Sequence, residues 1–161
     1  RWQAPVDPPA WTAPRMTTAF APACVQTGRL YGPGLNNRHD ATIGSTLGQT
    51  LGSEDCLYLN IWAPATPSPT PRPVIVWVHG GSNITGYTAD PVYDGAALAR
   101  TTGSVVVSVA YRLGIFGFLD LAPLKPAQLR PIRATSRCWI SSSRWSSFKA
   151  TSPVSAVTRP A

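Results

Sequence analysis

Two uninterrupted apolar runs constrain the fold of this chain most strongly. They are VIVWVH at residues 74–79 and SVVVSVAY at residues 104–111. Runs without polar alternation are typical of strands that are covered on both faces, as in a parallel sheet. The segment YDGAALARTTG between them predicts a short helix, with Asp90 or Asp94 near its start and Gly103 after its end. The order strand, helix, strand predicts an α/β domain with a largely parallel sheet.

The chain before these runs carries one further strand pattern. CLYLNIWAP is rich in residues that favour strands and predicts a strand over residues 56–63, which ends at Pro64. Residues 1–52 are rich in proline and glycine, which predicts loops in that region. The apolar runs are too short for a membrane span, so we expect none.

The net positive charge of the chain comes from its last quarter. Residues 1–120 carry seven basic and seven acidic side chains, whereas residues 121–161 carry seven basic side chains and no acidic one. The net charge of +7 therefore belongs to the tail. The tail shows no helix or strand period, which predicts a disordered basic segment over residues 122–161 beside a domain over residues 1–121. Basic tails can bind nucleic acid, but this one lacks interleaved aromatic residues in a folded context, so we expect no nucleic-acid partner.

A histidine, two glycines and a serine follow the first apolar run, at His79, Gly80, Gly81 and Ser82. Glycine leaves the backbone N–H groups unblocked, as an oxyanion-binding loop requires. A plain glycine turn would have the same composition. The four residues alone leave both interpretations open.

Several stretches together resemble one family. EDCLYLNIW, VIVWVHGGSNITGY and VVVSVAYRLGIFGF, with RW..P..P..W at the start of the chain and Cys24 in FAPACVQ, have the order and spacing of the type-B carboxylesterases, which include the cholinesterases. The resemblance covers residues 1–121. It implies part of an α/β-hydrolase fold and a small-molecule ester substrate that is hydrolysed by a serine, an acid and a histidine. It implies no cofactor and no metal.

The resemblance also assigns roles within the glycine-rich segment. Gly81 and Ser82 would each donate a backbone N–H to the oxyanion, and Gly80 would shape the turn. A third N–H would come from the residue after the nucleophile. Most relatives have glycine or alanine at the position of Ser82, where serine restricts the backbone dihedral angles. We expect His79 to be a supporting side chain and not the catalytic base.

Cysteine pairing is a second consequence of the resemblance. Cys24 and Cys56 match the first disulfide of the family, whereas in a cytosolic protein they would be two reduced buried thiols. Cys138 has no expected partner. The expected disulfide favours a secreted or periplasmic protein. Glu54 and Arg112 lie next to predicted strands, and we expect either a structural ion pair or separate surface contacts from them.

The catalytic triad is absent from the sequence. There is no GxSxG motif, and His39 precedes the glycine-rich segment, out of order for the triad. By the resemblance the chain is an N-terminal fragment that lacks the serine, the acid and the histidine, and we expect it to be inactive. The alternative is a non-catalytic binding module on the same scaffold. If the nucleophile lies further along the gene, we expect its strand to lie between the two apolar strands.

The tail has a specific explanation. When its codons are read two bases late, Trp139 to Ser142 can encode Asp-Gln-Gln, and the residues from Lys149 to Arg159 can encode GNIAGFGGDP with suitable third bases. The family carries LLDQQAALEWVQGNIAGFGGDP directly before its nucleophile. We infer a reading-frame shift between about Leu121 and Cys138, in the gene or in its sequencing.

Overall fold

The computed structural model describes residues 12–13, 17–29 and 46–119. His39, Cys138 and the expected disordered tail over residues 122–161 lie outside the described residues. The described elements are, in chain order, β1 (Gln26–Thr27), β2 (Thr50–Leu51), β3 (Leu59–Trp62), β4 (Val74–Val78), a 3-10 turn (Pro91–Tyr93), α1 (Ala96–Thr102), β5 (Val105–Val109) and α2 (Gly114–Phe118).

A three-stranded sheet forms the centre of the described domain, with the strand order β3-β5-β4. β4 pairs with β5 in parallel, and Val76 lies opposite Val107. β3 pairs with β5 in the antiparallel sense, and Ile61 lies opposite Val107. The predicted α/β arrangement is therefore present, but the described sheet is mixed and not largely parallel. The segment between β3 and β4 contains bends and irregular backbone, so no crossover helix connects these two strands.

The expectation that both apolar runs are covered on both faces is correct for only one of them. In β5, Val106 and Val107 are 3% exposed and Ser108 is 1% exposed. In β4, Val74 is 54% exposed and Trp77 is 47% exposed. β5 has a neighbour on each side, whereas β4 lies at an edge of the described sheet. β5 also contacts α1, so the elements packed around each strand account for the difference.

The expected place of a nucleophile strand is also wrong. β4 and β5 are directly paired along all five residues, from Val74 opposite Val105 to Val78 opposite Val109. No strand fits between them, because paired strands are only about 4.8 Å apart. The edge of β4 that faces away from β5 is the position at which a further strand could pair.

Helix α1 confirms the predicted helix and both of its boundaries. The Asp94 carboxylate accepts a hydrogen bond from Ala96 N at 2.8 Å at the first turn. Asp90 accepts from Val92 N at 3.0 Å and begins the preceding 3-10 turn. Gly103 ends the helix with φ 70°, a left-handed conformation that glycine adopts at little cost.

Three elements carried no usable signal in the sequence. β1 and β2 are two residues long, with Gln26 opposite Leu51 and Thr27 opposite Thr50, and they lie in the region predicted as loop. Helix α2 is five residues long and contains two glycines, so it shows no apolar period. β3 is shorter than the predicted strand over residues 56–63, because Cys56 and Tyr58 lie in an irregular segment before it.

The expected disulfide between Cys24 and Cys56 is present. Both cysteines are buried, and they form a small core cluster with Leu113, which precedes α2. At the surface beside this cluster, Arg112 Nη2 donates to the backbone carbonyl of Glu54 at 3.4 Å. Within the described residues, no helix is long and apolar enough to cross a membrane.

Candidate functional site

The glycine loop, which we define as residues 79–86, begins where β4 ends. Its backbone is unusual, because Gly81, Ser82 and Asn83 have φ angles of 121°, 56° and 60° in succession. A left-handed conformation costs a non-glycine residue about 1 kcal/mol, so other contacts must hold the loop. One of them is internal, since the Gly81 carbonyl accepts from the N–H groups of Ile84 and Thr85, both at 3.1 Å.

The N–H groups at the turn of this loop are not used within the described structure. No hydrogen bond to another described residue has the backbone N–H of Gly80, Gly81 or Ser82 as its donor. Gly80 and Ser82 are exposed, and Gly81 is half-buried. Backbone N–H groups in folded proteins are nearly always bonded to protein or to water, so these groups are available to solvent or to a ligand.

A buried glutamine holds the far end of the loop. The side chain of Gln26, 6% exposed, donates from Nε2 to the carbonyls of Cys24 at 3.1 Å and Gly86 at 2.9 Å. Its Oε1 accepts from Thr85 Oγ1 at 2.8 Å and from Gly86 N at 2.9 Å. A carboxamide has two donor hydrogens and two acceptor lone pairs, so all four of its bonds are made.

His79 holds the near end of the loop. Its imidazole is 4% exposed and stacks on Tyr111 with ring centroids 4.5 Å apart. Nδ1 lies 3.0 Å from the Gly80 carbonyl, an acceptor, so this contact requires the hydrogen to be on Nδ1. Burial lowers the pKa of His79, and the contact with Gly80 opposes this shift only in part. The imidazole is therefore neutral at pH 7. Its burial and its stacking on Tyr111 are typical of a supporting side chain.

Close backbone packing joins the two ends of the loop. A Cβ atom placed on Gly86, whose φ is 115°, would lie 2.4 Å from His79 Nδ1 and 2.6 Å from the Gly80 carbonyl oxygen. A Cβ atom on Gly81 would lie 2.0 Å from the Thr85 carbonyl oxygen. Only glycine fits at these two positions. A further contact fixes the middle of the loop, since Gly114 N donates to the Asn83 carbonyl at 2.7 Å.

The loop forms one wall of an open cleft with a volume of about 790 Å³. The lining residues are Thr27, Gly28, Arg29, Leu47, Gly48, Gly80, Gly81, Thr85, Gly86, Tyr87, Asp90 and Tyr93. Tyr87 is 3% exposed, and its hydroxyl has no hydrogen-bond partner among the described residues. Burial and the nearby negative charge of Asp90 raise the pKa of Tyr87 to about 12, so the phenol is neutral at physiological pH.

Of the three residues predicted for the oxyanion site, the structure places Gly80 and Gly81 in the cleft wall and leaves Ser82 exposed at the turn. No motif in the sequence singled out Gln26, Tyr87 or Tyr111. Gln26 has a single local signal, its position two residues after Cys24. Within the described residues, no group of three or more histidine, cysteine, aspartate or glutamate side chains is placed to bind a metal.

Comparison with known proteins identifies the family of the chain. The model of the carboxylesterase family matches residues 1–125. A fumonisin B1 esterase of Sphingopyxis macrogoltabida is 44% identical over 74% of the chain, and a para-nitrobenzyl esterase of Bacillus subtilis is 38% identical over 79% of it. An acetylcholinesterase of Bungarus fasciatus is 40% identical over 73% of the chain. The chain belongs to the carboxylesterase family.

Solved structures extend the comparison to the fold. A structure of a PNB esterase superimposes with a TM-score of 0.62 at 38% identity, over 78% of this chain and 23% of that one. The chain spans only 19%, 24% and 18% of the lengths of the three curated relatives, in the order given above.

Proposed function

We propose that the whole protein hydrolyses carboxylic esters and that the glycine loop supplies part of its oxyanion site. The observation that carries the proposal is the set of unused N–H groups at Gly80, Gly81 and Ser82, in a loop whose other backbone contacts are fixed. Gly81 and Ser82 would donate to the oxygen that becomes negatively charged when a serine attacks the ester carbonyl. Family membership supports the reaction class, since all three curated relatives named above are esterases.

The exposed edge of β4 supports a place for the nucleophile. β5 occupies one side of β4, and no other described strand pairs with the opposite edge. Val74, Val76 and Trp77 of β4 are 41–54% exposed. A parallel strand paired there would end beside the glycine loop, because the carboxyl ends of parallel strands lie at the same edge of a sheet. A serine at the turn after that strand would then face the N–H groups of Gly81 and Ser82. The described sheet would thus be part of an α/β-hydrolase fold.

Two further parts of the proposal concern the polypeptide as a whole. The domain would end near residue 121, and residues 122–161 would be an off-frame tail. The Cys24–Cys56 disulfide favours a secreted or periplasmic protein. The chain of 161 residues contains no GxSxG motif, and we expect it to be inactive.

Resequencing of the gene between the codons of Leu121 and Cys138, and for several hundred bases beyond the codon of Ala161, tests the proposal. We expect one restored frame to encode FGGDP, then a serine-centred elbow, and then an acid and a histidine in that order. Absence of such an elbow in every frame would leave a scaffold without chemistry, which is the binding-module alternative.

An activity assay tests the role of the loop in the protein expressed from the gene with its reading frame restored, here called the frame-restored protein. We expect saturable hydrolysis of a p-nitrophenyl ester by that protein and none above buffer by the 161-residue chain. Substitution of Gly81 by alanine keeps the N–H but places a Cβ 2.0 Å from the Thr85 carbonyl oxygen, so the donor must move. We expect kcat to fall by about 100-fold, as when an oxyanion donor is lost. The matched control is Gly103→Ala, at a glycine of positive φ outside the cleft lining, where an added Cβ would meet only Arg72 Nη1 at 3.6 Å. Equal losses in the two variants would contradict the assigned role.

A further inference from the structure

Gln26 is connected to the candidate oxyanion donor, the N–H of Gly81, through contacts of Gly86 and Gly80. Two of the four hydrogen bonds of Gln26 hold Gly86, one at its N–H and one at its carbonyl. Gly86 in turn packs against the Gly80 carbonyl, so closely that an added Cβ would be 2.6 Å from that oxygen. The carbonyl of Gly80 and the N–H of Gly81 belong to one planar peptide unit and point in opposite directions. Whatever fixes the carbonyl of Gly80 therefore fixes the direction of the Gly81 N–H.

One of the four hydrogen bonds of the Gln26 carboxamide is made outside the glycine loop. Nε2 donates to the Cys24 carbonyl, and Cys24 is held by the disulfide to Cys56 and by a bridge to Ser53. Glutamine can meet both requirements because its amide carries donors and acceptors side by side. An apolar residue of the same length would fill the space but would leave the N–H and the carbonyl of Gly86 without their partners.

We propose that Gln26 is a positioning residue for ester hydrolysis, which orients the Gly81 N–H by holding Gly86 against the Gly80 carbonyl. This inference rests on the proposed function of the glycine loop. It assigns Gln26 no contact with the substrate. It predicts that loss of the carboxamide releases the peptide unit between Gly80 and Gly81 while the sheet remains folded.

The test uses the ¹⁵N-labelled 161-residue chain and methylphosphonate, a tetrahedral anion that resembles the oxyanion intermediate. In the unsubstituted chain we expect the Gly81 amide resonance to shift on titration and to saturate. In Gln26→Met the affinity measured at Gly81 should fall by about tenfold, and the Gly81 amide should have a different shift and a faster hydrogen exchange before any anion is added. The amide resonances of Val106 and Val107 report whether the sheet is intact. Gln49→Met, at an exposed glutamine before β2, is the matched control and should behave as the parent.

A second variant covers the case in which Gln26→Met does not fold. In Gln26→Glu the carboxylate can still accept from Thr85 and Gly86, but it cannot donate to the carbonyls of Cys24 and Gly86. Burial beside those two oxygens should raise the pKa of the introduced carboxyl, and its protonated form regains one donor. We therefore expect the Gly81 amide shift of this variant to follow the titration of that carboxyl, with a midpoint that is absent from the parent.

The possible failures separate the two claims. A parent chain in which methylphosphonate leaves the Gly81 and Ser82 amides unchanged would contradict the oxyanion role of the loop. A folded Gln26→Met chain with the parental Gly81 shift and exchange rate would overturn the positioning role, whether or not the anion binds. A Gln26→Glu variant whose Gly81 shift is independent of the carboxyl titration would overturn it as well.

Discussion

Strands β4 and β5 are five residues long, apolar and paired with each other, yet they occupy opposite environments. The central residues of β5 are at most 3% exposed, whereas Val74, Val76 and Trp77 of β4 are at least 41% exposed. The two strands, VIVWV and VVVSV, share valine at three of five positions and differ at Ile75 and Trp77 of β4. The difference teaches that an apolar run indicates what a strand can bury, whereas the elements packed around the strand decide what it does bury.

A second contrast lies within the segment that contains β4. The body of the strand is exposed, but the loop after it is buried at His79 and crowded at Gly86, and Tyr87, which follows it, is buried as well. The loop is held by Gln26, which is anchored in turn to the disulfide-linked cluster at Cys24. The candidate site is therefore fixed on one side and open on the side where the nucleophile strand is proposed to pair.

The largest expected effect on stability comes from a charge introduced into the central strand β5, compared with the same change in β4. Val107→Asp should lower the free energy of unfolding by about 4 kcal/mol or more, because it buries an unpaired charge in the central strand. Val76→Asp, at the residue paired with Val107, should cost less than about 1.5 kcal/mol, since its side chain reaches solvent. Urea unfolding followed by circular dichroism measures both losses. Similar losses in the two variants would show that β4 is buried in solution. In the frame-restored protein, where a strand is proposed to pair with β4, the stability loss of Val76→Asp should be larger.

The next largest effect on stability comes from removal of the disulfide, to which Gln26 anchors the glycine loop. Replacing both Cys24 and Cys56 by alanine should lower the free energy of unfolding by roughly 3–4 kcal/mol, because the bridge closes a loop with a sequence separation of 32. Urea unfolding with and without reductant measures the loss, and reductant should have no effect on the double variant. Mass spectrometry of an unreduced digest should show the two peptides linked. A bond from Cys138 to either cysteine would contradict the assignment.

A smaller effect separates crowding from backbone conformation. Gly86→Ala should cost about 3 kcal/mol, because a positive φ is combined with contacts below 3 Å to His79 and Gly80. Gly48→Ala should cost only about 1 kcal/mol, since Gly48 has φ 77° with nothing within 4 Å of the added atom. Thermal unfolding of the two variants provides the comparison. Equal costs would mean that the loop moves away from His79 without penalty.

The smallest effect is the pH dependence that His79 contributes. Its pKa is lowered in the folded state, so the unfolded chain takes up a proton first as the pH falls below about 6.5. Stability should be constant above that pH and should fall below it, by at most about 1.4 kcal/mol per pH unit, until the lowered pKa is passed. His79→Phe keeps the stacking partner of Tyr111 and should remove this component. A variant with the parental dependence between about pH 5 and 7 would assign it to another group.

Much of the candidate site follows from local chemistry that the sequence displays. Helix α1 is bounded by Asp94 and Gly103, whose capping preferences act within one turn of the chain. The glycine loop could be located because a strand pattern stops at residues that leave backbone N–H groups unblocked. Cys24 and Cys56 could be paired because their surroundings resemble those of a family. Each of these signals involves neighbouring residues or a familiar motif.

Only the tertiary structure decided which strand is central and what holds the loop. Among the described strands, the pairing of β4 directly with β5 leaves one edge of β4 without a neighbour. No pattern within either strand encodes the identity of its neighbours. Gln26 meets Thr85 and Gly86 across about 60 residues, through hydrogen bonds that exist only after β1 has packed beside the loop. The sequence by itself determined the helix, the main strands and the position of the glycine loop, because propensity and capping are local. Packing determined burial and orientation, because these depend on residues that are distant along the chain.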